Sequence, residues 1–167
     1  LERHPVPLVV DPVLIASSGA QLLQDDAVET LIRRLFPLAT VVTPNLPEAE
    51  TLTGLHGATR RDLAEKLVEL GPAAALVTSG HGETPVDHLF DGKTHVELPV
   101  ERYDIPATHG AGCTHSATFA ALLARGLSLI DAARGASEAA SAAVQHGLVE
   151  IGAGEGPVDV LNVKGAA

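Results

Sequence analysis

The sequence contains no Met and no Trp, a single Cys and a single Tyr, and aromatic residues make up only 2% of its 167 residues. A core of Val, Leu, Ile and Ala is therefore expected, and 46% hydrophobic residues are enough to build one. At about 150 residues per domain, the length predicts one domain over residues 1–167. Because the chain lacks Met and opens just before an apolar run, we expect the C-terminal portion of a longer protein.

Basic residues are also scarce, since 11 Lys and Arg stand against 21 Asp and Glu, for a formal net charge of −10. The sequence therefore lacks the basic stripe of a nucleic-acid-binding protein. No apolar run approaches the roughly 18 residues of a membrane span. The single Cys113 cannot form an internal disulfide, which fits a reducing compartment. These absences predict no nucleic-acid partner, no membrane association and a cytoplasmic location.

Short apolar runs alternate with helical patterns along the chain. Three of them predict buried strands, at residues 7–10, 40–43 and 73–78. The Asp91-Gly92 pair between two runs of alternating polarity, 86–90 and 95–100, predicts a β-hairpin. This order is typical of an α/β fold with a mostly parallel sheet, an antiparallel edge hairpin and helices on both faces. Ligands of such sheets bind beyond the carboxyl ends of the strands.

A glycine-rich loop, Thr108-His-Gly110-Ala111-Gly112-Cys113, runs into an apolar helix. Two glycines around one small residue let backbone amides approach an anion, and a helix start adds amides and a positive dipole end. The loop is therefore a candidate cradle for a phosphate or a developing negative charge. The alternative is a turn that uses glycine for geometry alone, followed by a small core cysteine.

Acidic and amide residues follow the first two predicted strands. Asn45 and Glu48 stand three residues apart at a helix start, and Asp11 ends the first strand. A carboxylate there suits Mg²⁺, and an amide suits a phosphate. The alternative is a plain helix cap with an acidic first turn.

Four segments together carry a resemblance to a known family: Val9–Val13, Val42–Glu50, Thr108–Thr114 and Gly154–Asp159. In this order and spacing they resemble the hydroxymethylpyrimidine and phosphomethylpyrimidine kinases of thiamine synthesis, within the ribokinase-like superfamily. The resemblance extends from about Pro7 to Asp159. It implies a three-layer α/β/α ribokinase-like fold with its N-terminal part missing.

The resemblance further implies ATP-dependent phosphorylation of the hydroxymethyl group of 4-amino-5-hydroxymethyl-2-methylpyrimidine and of its monophosphate. Gly110, Ala111 and Gly112 would stabilise the transferring phosphoryl group, and Cys113 would accept the proton of the attacking hydroxyl. The expected partner is this small-molecule substrate, and the family is often dimeric, which is compatible with a homodimer. Five residues would contact the nucleotide: Asn45, Glu48, Thr78, Gly80 and Thr108. Asp11 and Glu48 would hold Mg²⁺.

The sequence departs from the family pattern in two places. Thr78-Ser79-Gly80 stands where the family often has a Lys and two Gly, and Ala111 replaces a frequent Thr. A related subgroup with this Ala and without the Lys phosphorylates pyridoxal, so a pyridoxal kinase is one alternative. A truncated, non-catalytic nucleotide-binding module is the other.

Overall fold

The computed structural model describes residues 6–14, 20, 22–79 and 85–163, and the chain divides into two compact units, residues 1–99 and 100–167. The first unit contains a five-stranded sheet with its strands in sequence order. The strands are β1 (Val9–Val10), β2 (Val41–Val42), β3 (Ala75–Val77), β4 (Val86–Phe90) and β5 (His95–Pro99). The first three are parallel, and β4 and β5 add as an antiparallel hairpin. The predicted sheet is therefore confirmed.

Among the described residues of this unit, three helices accompany the sheet: α1 (Asp25–Thr30), α2 (Leu46–Thr53) and α3 (Arg60–Glu69). A π-helical turn, Leu31–Leu35, and a 3-10 turn, Phe36–Leu38, continue α1. At the start of α3, the Thr59 side chain accepts a hydrogen bond from the Asp62 amide, and the Asp62 carboxylate accepts one from the Thr59 amide. This reciprocal capping satisfies two amides that a helix start leaves open.

The core of the first unit lies between one face of the sheet and these helices. Val42, Ala75 and Val77 face Leu63 and Leu67, which are fully buried on α3. Burying one such Leu contributes about 1.5–3 kcal/mol. Because β1, β2 and β3 are parallel, their carboxyl ends share one edge of the sheet.

The second unit contains a helix pair, α4 (Ala111–Ala124) and α5 (Leu129–Gln145). Its buried residues are mostly small, and Gly135 of α5 leaves room for the Leu122 side chain of α4. Ser128 caps α5 by accepting a hydrogen bond from the Asp131 amide at 3.1 Å. None of the helices in the described ranges is both long enough and apolar enough to cross a membrane. A single domain over residues 1–167 stays a prediction.

Candidate functional site

Asn45 and Glu48 form the start of α2. The Glu48 amide donates a hydrogen bond to Asn45 Oδ1, and the Asn45 amide donates one to Glu48 Oε2, both at 2.9 Å. Pro47 lies in the first turn, where its missing amide costs nothing. The helix-cap interpretation of this segment is therefore correct. The cap uses Asn45 Oδ1 and Glu48 Oε2, and the ligand-binding interpretation of the two side chains stays a prediction.

Glu48 is a buried carboxylate, only 7% exposed. Burial raises its pKa most, and the nearby Asp11 carboxylate raises it further, against hydrogen bonds from the backbone of Asn45 and Leu14 that lower it. Two carboxylates that repel each other at a sheet edge are relieved by a cation, and their oxygens are the ligands Mg²⁺ prefers. Asp11 and Glu48 therefore fit a magnesium ion chemically.

Thr43 lies at the same edge, immediately after β2. Its amide donates to the Val10 carbonyl at 3.0 Å, and the residue is 5% exposed. Within the part of the chain that the structure describes, its hydroxyl has no hydrogen-bond partner. A buried polar atom without a partner costs about 1–3 kcal/mol, so such atoms mark places where a water or a ligand supplies the contact. Thr43 lies inside the Val42–Glu50 segment, but its sequence context predicts no role for it.

Thr78 and Ser79 continue the chain beyond β3. The Thr78 amide donates to the Pro44 carbonyl at 2.9 Å, and Thr78 forms an isolated parallel bridge with Asn45. The next amide, that of Ser79, donates to Asp87 Oδ1 at 2.6 Å. The structure thus places two of the predicted nucleotide residues, Asn45 and Thr78, side by side. Gly80, another of them, lies outside the described residues.

In the second unit, the predicted glycine loop opens α4. Gly110 precedes the first helical residue with φ of 90°, a left-handed conformation in which a side chain is strained. The Ala111 amide donates to the Thr108 carbonyl at 3.0 Å, and the Thr114 amide donates to the Gly110 carbonyl at 2.9 Å. The amides of Gly112 and Cys113 fall in the first turn, where helix geometry provides no carbonyl acceptor. They are therefore available to an anion.

Cys113 is exposed in this first turn, so the interpretation as a small core cysteine is wrong. The side chain of His115, two residues further along the helix, turns inward instead. His115 is buried against α5, with Nε2 3.4 Å from Ser137 Oγ, and its ring meets Phe119 edge-on at 6.0 Å. The sequence alone does not separate these positions, because an apolar helix of small residues shows no clear periodicity.

The C-terminal segment 155–158 holds the glycine loop in place. The His109 amide donates to the Gly156 carbonyl at 3.2 Å, and the Val158 amide donates to the His109 carbonyl at 3.0 Å. The Thr108 hydroxyl donates to the Glu155 carboxylate. This segment is part of the family resemblance, but the sequence predicts no contact for Glu155. A pairing 47 residues apart in the chain has no local signal.

The sequence model of the family described as phosphomethylpyrimidine kinase matches residues 1–159. The chain belongs to this family. A hydroxymethylpyrimidine/phosphomethylpyrimidine kinase of Rhizobium meliloti is 46% identical over 165 residues, which are 95% of this chain and 62% of that protein. The chain thus spans about 60% of the length of the curated relatives it matches.

Solved structures confirm the fold class of this phosphomethylpyrimidine kinase family member. A pyridoxal kinase of Staphylococcus aureus, in complex with AMP-PCP, gives a TM-score of 0.83 at 32% identity, covering 92% of this chain and 58% of that one. A phosphomethylpyrimidine kinase of Clostridium difficile gives 0.67 at 36% identity, covering 80% and 55%. The predicted ribokinase-like α/β/α fold and the family resemblance are both correct.

Proposed function

We propose that this protein catalyses ATP-dependent phosphorylation of the hydroxymethyl group of 4-amino-5-hydroxymethyl-2-methylpyrimidine and of its monophosphate, in thiamine synthesis. The observation that carries the proposal is the left-handed Gly110 turn, which opens α4 with Cys113 exposed in the first turn, where backbone amides have no helical acceptor. Phosphoryl transfer needs little covalent chemistry from the protein and depends on positioning and charge stabilisation. A pair of amides at a helix start supplies both.

In the proposed reaction, Gly110, Ala111 and Gly112 form the turn that stabilises the negative charge of the transferring phosphoryl group, through the amides of Gly112 and Cys113. The Cys113 thiolate accepts the proton of the substrate hydroxyl as its oxygen attacks the γ-phosphorus of ATP. The bond between the γ-phosphorus and its bridging oxygen breaks, and ADP leaves with the electron pair. For the monophosphate, the attacking oxygen belongs to the phosphate group instead.

The nucleotide and metal roles are assigned residue by residue. Asn45, Glu48, Thr78 and Thr108 would contact ATP, and Gly80 keeps the same assignment. Asp11 and Glu48 would hold Mg²⁺, which supplies neutralisation of phosphate charge when bound. The orphan hydroxyl of Thr43 and the carboxylate pair at the sheet edge support the assignment.

A pyridoxal kinase is the second candidate. The structural likeness to a pyridoxal kinase favours it, as does Thr78 at a position where the family often has Lys. Turnover with hydroxymethylpyrimidine and with pyridoxal, measured separately on the full-length protein, decides between the two. Binding of MgATP without turnover of either acceptor would instead support a non-catalytic nucleotide-binding module.

The role of Cys113 is tested by replacing it. Removing a general base costs about 10²–10⁴-fold in rate, so Cys113→Ala should lower kcat by that amount while the KM for ATP stays unchanged. Cys113→Asp is the matched control, because a carboxylate at the same position still accepts a proton. Undiminished turnover in the Ala variant would refute the assignment.

The remaining assignments follow from the same proposal. The substrate is a small molecule, and neither a nucleic acid nor a membrane takes part. A cytoplasmic location is supported by the single cysteine, which fits a reducing compartment. A homodimer stays a prediction, which sedimentation of the full-length protein tests.

A further inference from the structure

A carboxylate, that of Asp87, lies buried near the start of β4. Asp87 is 4% exposed in a strand whose other residues include Val86, Leu89 and Phe90. Asp is among the residues least often buried, because taking a carboxylate out of water is costly unless hydrogen bonds replace the water. An apolar β-branched residue would pack there at lower cost. The carboxylate therefore calls for another explanation.

The explanation lies in what the carboxylate holds. Asp87 Oδ1 accepts the Ser79 amide at 2.6 Å, and Ser79 is itself 5% exposed. The ladder between β3 and β4 ends at the Val77–His88 pair, two residues before Ser79. A charged acceptor makes this one of the stronger hydrogen bonds in a protein. Asp87 thus fixes the backbone where the regular sheet stops.

The fixed backbone leads directly to residues of the proposed nucleotide site. Thr78, which precedes Ser79, is tied on its other side to the Pro44 carbonyl and bridges Asn45. Asn45 in turn is tied to Glu48 by two hydrogen bonds. The chain from β3 is therefore held from both neighbouring strands at one point. These contacts limit how far the backbone of Thr78 can move.

We propose that Asp87 is a positioning residue for nucleotide binding, which holds the Ser79 amide so that Thr78 meets the phosphates of ATP in a fixed orientation. The proposal rests on the proposed function, since it assumes that Thr78 contacts the nucleotide. It assigns Asp87 no contact with substrate. Its effect should therefore appear in ATP binding and not in the affinity for the acceptor.

Three variants test the proposal. Asp87→Val removes the carboxylate that accepts the Ser79 amide, and Val suits a buried strand. Asp87→Thr also removes the carboxylate, and its hydroxyl is too short to accept the same hydrogen bond. With two such variants, the test does not depend on the folding of one of them. Asp87→Asn keeps an acceptor oxygen. Asp91→Ala is the matched control, because Asp91 also accepts backbone amides, those of Lys93 and Thr94, but at the far end of β4.

Calorimetric titration with MgADP and steady-state kinetics are measured on the full-length protein. We expect the Asp87→Val and Asp87→Thr variants to bind MgADP at least tenfold more weakly and to show at least a tenfold higher KM for ATP. The KM for the acceptor should stay unchanged. The Asp87→Asn variant should keep its MgADP affinity and its KM for ATP within about threefold of the wild-type values. The Asp91→Ala variant should bind nucleotide as the wild type does. Unchanged nucleotide binding in both Val and Thr variants, or equal weakening in Asp91→Ala, would overturn the proposal.

The calorimetric titration with MgADP tests this proposal separately from the proposed function on which it rests. If the wild type binds MgADP but phosphorylates no pyrimidine, the proposed function fails, while the variant series still decides the role of Asp87. If the wild type binds no nucleotide at all, both proposals are wrong.

Discussion

Replacing Gly112 with Ala should separate the stability of the protein from its activity. Gly112 is helical, in the first turn of α4, and a Cβ added there has no neighbouring atom within 4 Å. The extra methyl group therefore meets open space and clashes with nothing. Because Gly loses more backbone freedom on folding than Ala, the substitution should raise the free energy of unfolding by about 0.5–1 kcal/mol.

The same open space is where the proposed phosphoryl group approaches the Gly112 and Cys113 amides. A Cβ there keeps an anion from close contact with the backbone. Loss of one such donor elsewhere costs about 10²–10³-fold in kcat, so a partial obstruction should cost at least about tenfold. We thus expect a variant that is more stable than the wild type and less active.

Urea unfolding and initial-rate kinetics on the same preparations measure both quantities. Gly110→Ala is the matched control, because its φ of 90° should make an Ala cost about 1–2 kcal/mol in stability. Full activity in Gly112→Ala would refute the assignment of this turn as the phosphoryl site. Lower stability in that variant would refute the reasoning from open space.

Two further predictions concern stability. Gly156→Ala should destabilise the protein by about 1–3 kcal/mol, since its Cβ would overlap the Leu148 carbonyl. Gly154→Ala, whose Cβ would have no atom within 4 Å, should have little effect in thermal unfolding. Equal effects of the two substitutions would contradict the packing argument. Burial, together with the charge of the neighbouring His95, lowers the pKa of His88 in the folded protein. The unfolded state therefore binds a proton at His88 more readily than the folded state does. The stability contributed by neutral His88 is present above about pH 6.5 and is lost as the pH falls toward the folded pKa. His88→Leu should therefore flatten the stability curve below pH 6.5 in urea titrations at successive pH values, and an unchanged curve would contradict it.

The local elements were predictable because their causes are local. Thr59 with Asp62 and Ser128 with Asp131 form helix starts from residues three apart. The Asp91 turn likewise satisfies its own amides, at 2.7 and 2.9 Å from Asp91 Oδ1. Alternation of apolar strands and helices was enough to predict the parallel order of the sheet. These features depend on a few neighbouring residues, and the sequence shows such neighbours directly.

The contacts of Asp87 and Glu155 were not predictable in the same way. Asp87 reads as a polar residue in an alternating strand, and its hydrogen bond to Ser79 depends on where β3 stops relative to β4. Glu155 meets Thr108 across 47 residues. Among the described residues the Thr43 hydroxyl has no hydrogen-bond partner, and the sequence does not show this, because it depends on all the residues that pack around Thr43.

By itself, the sequence determined the family and the α/β class, because strand and helix patterns and the Gly110–Cys113 loop consist of consecutive residues. The residues that would carry the proposed chemistry stay a prediction from the same segments. It also offered two interpretations of Asn45 and Glu48, a helix cap or a ligand site. Only the tertiary structure showed that the cap is formed and that Glu48 is buried beside another carboxylate. Burial and long-range hydrogen bonds are decided by the packing of distant segments, and no local pattern encodes them.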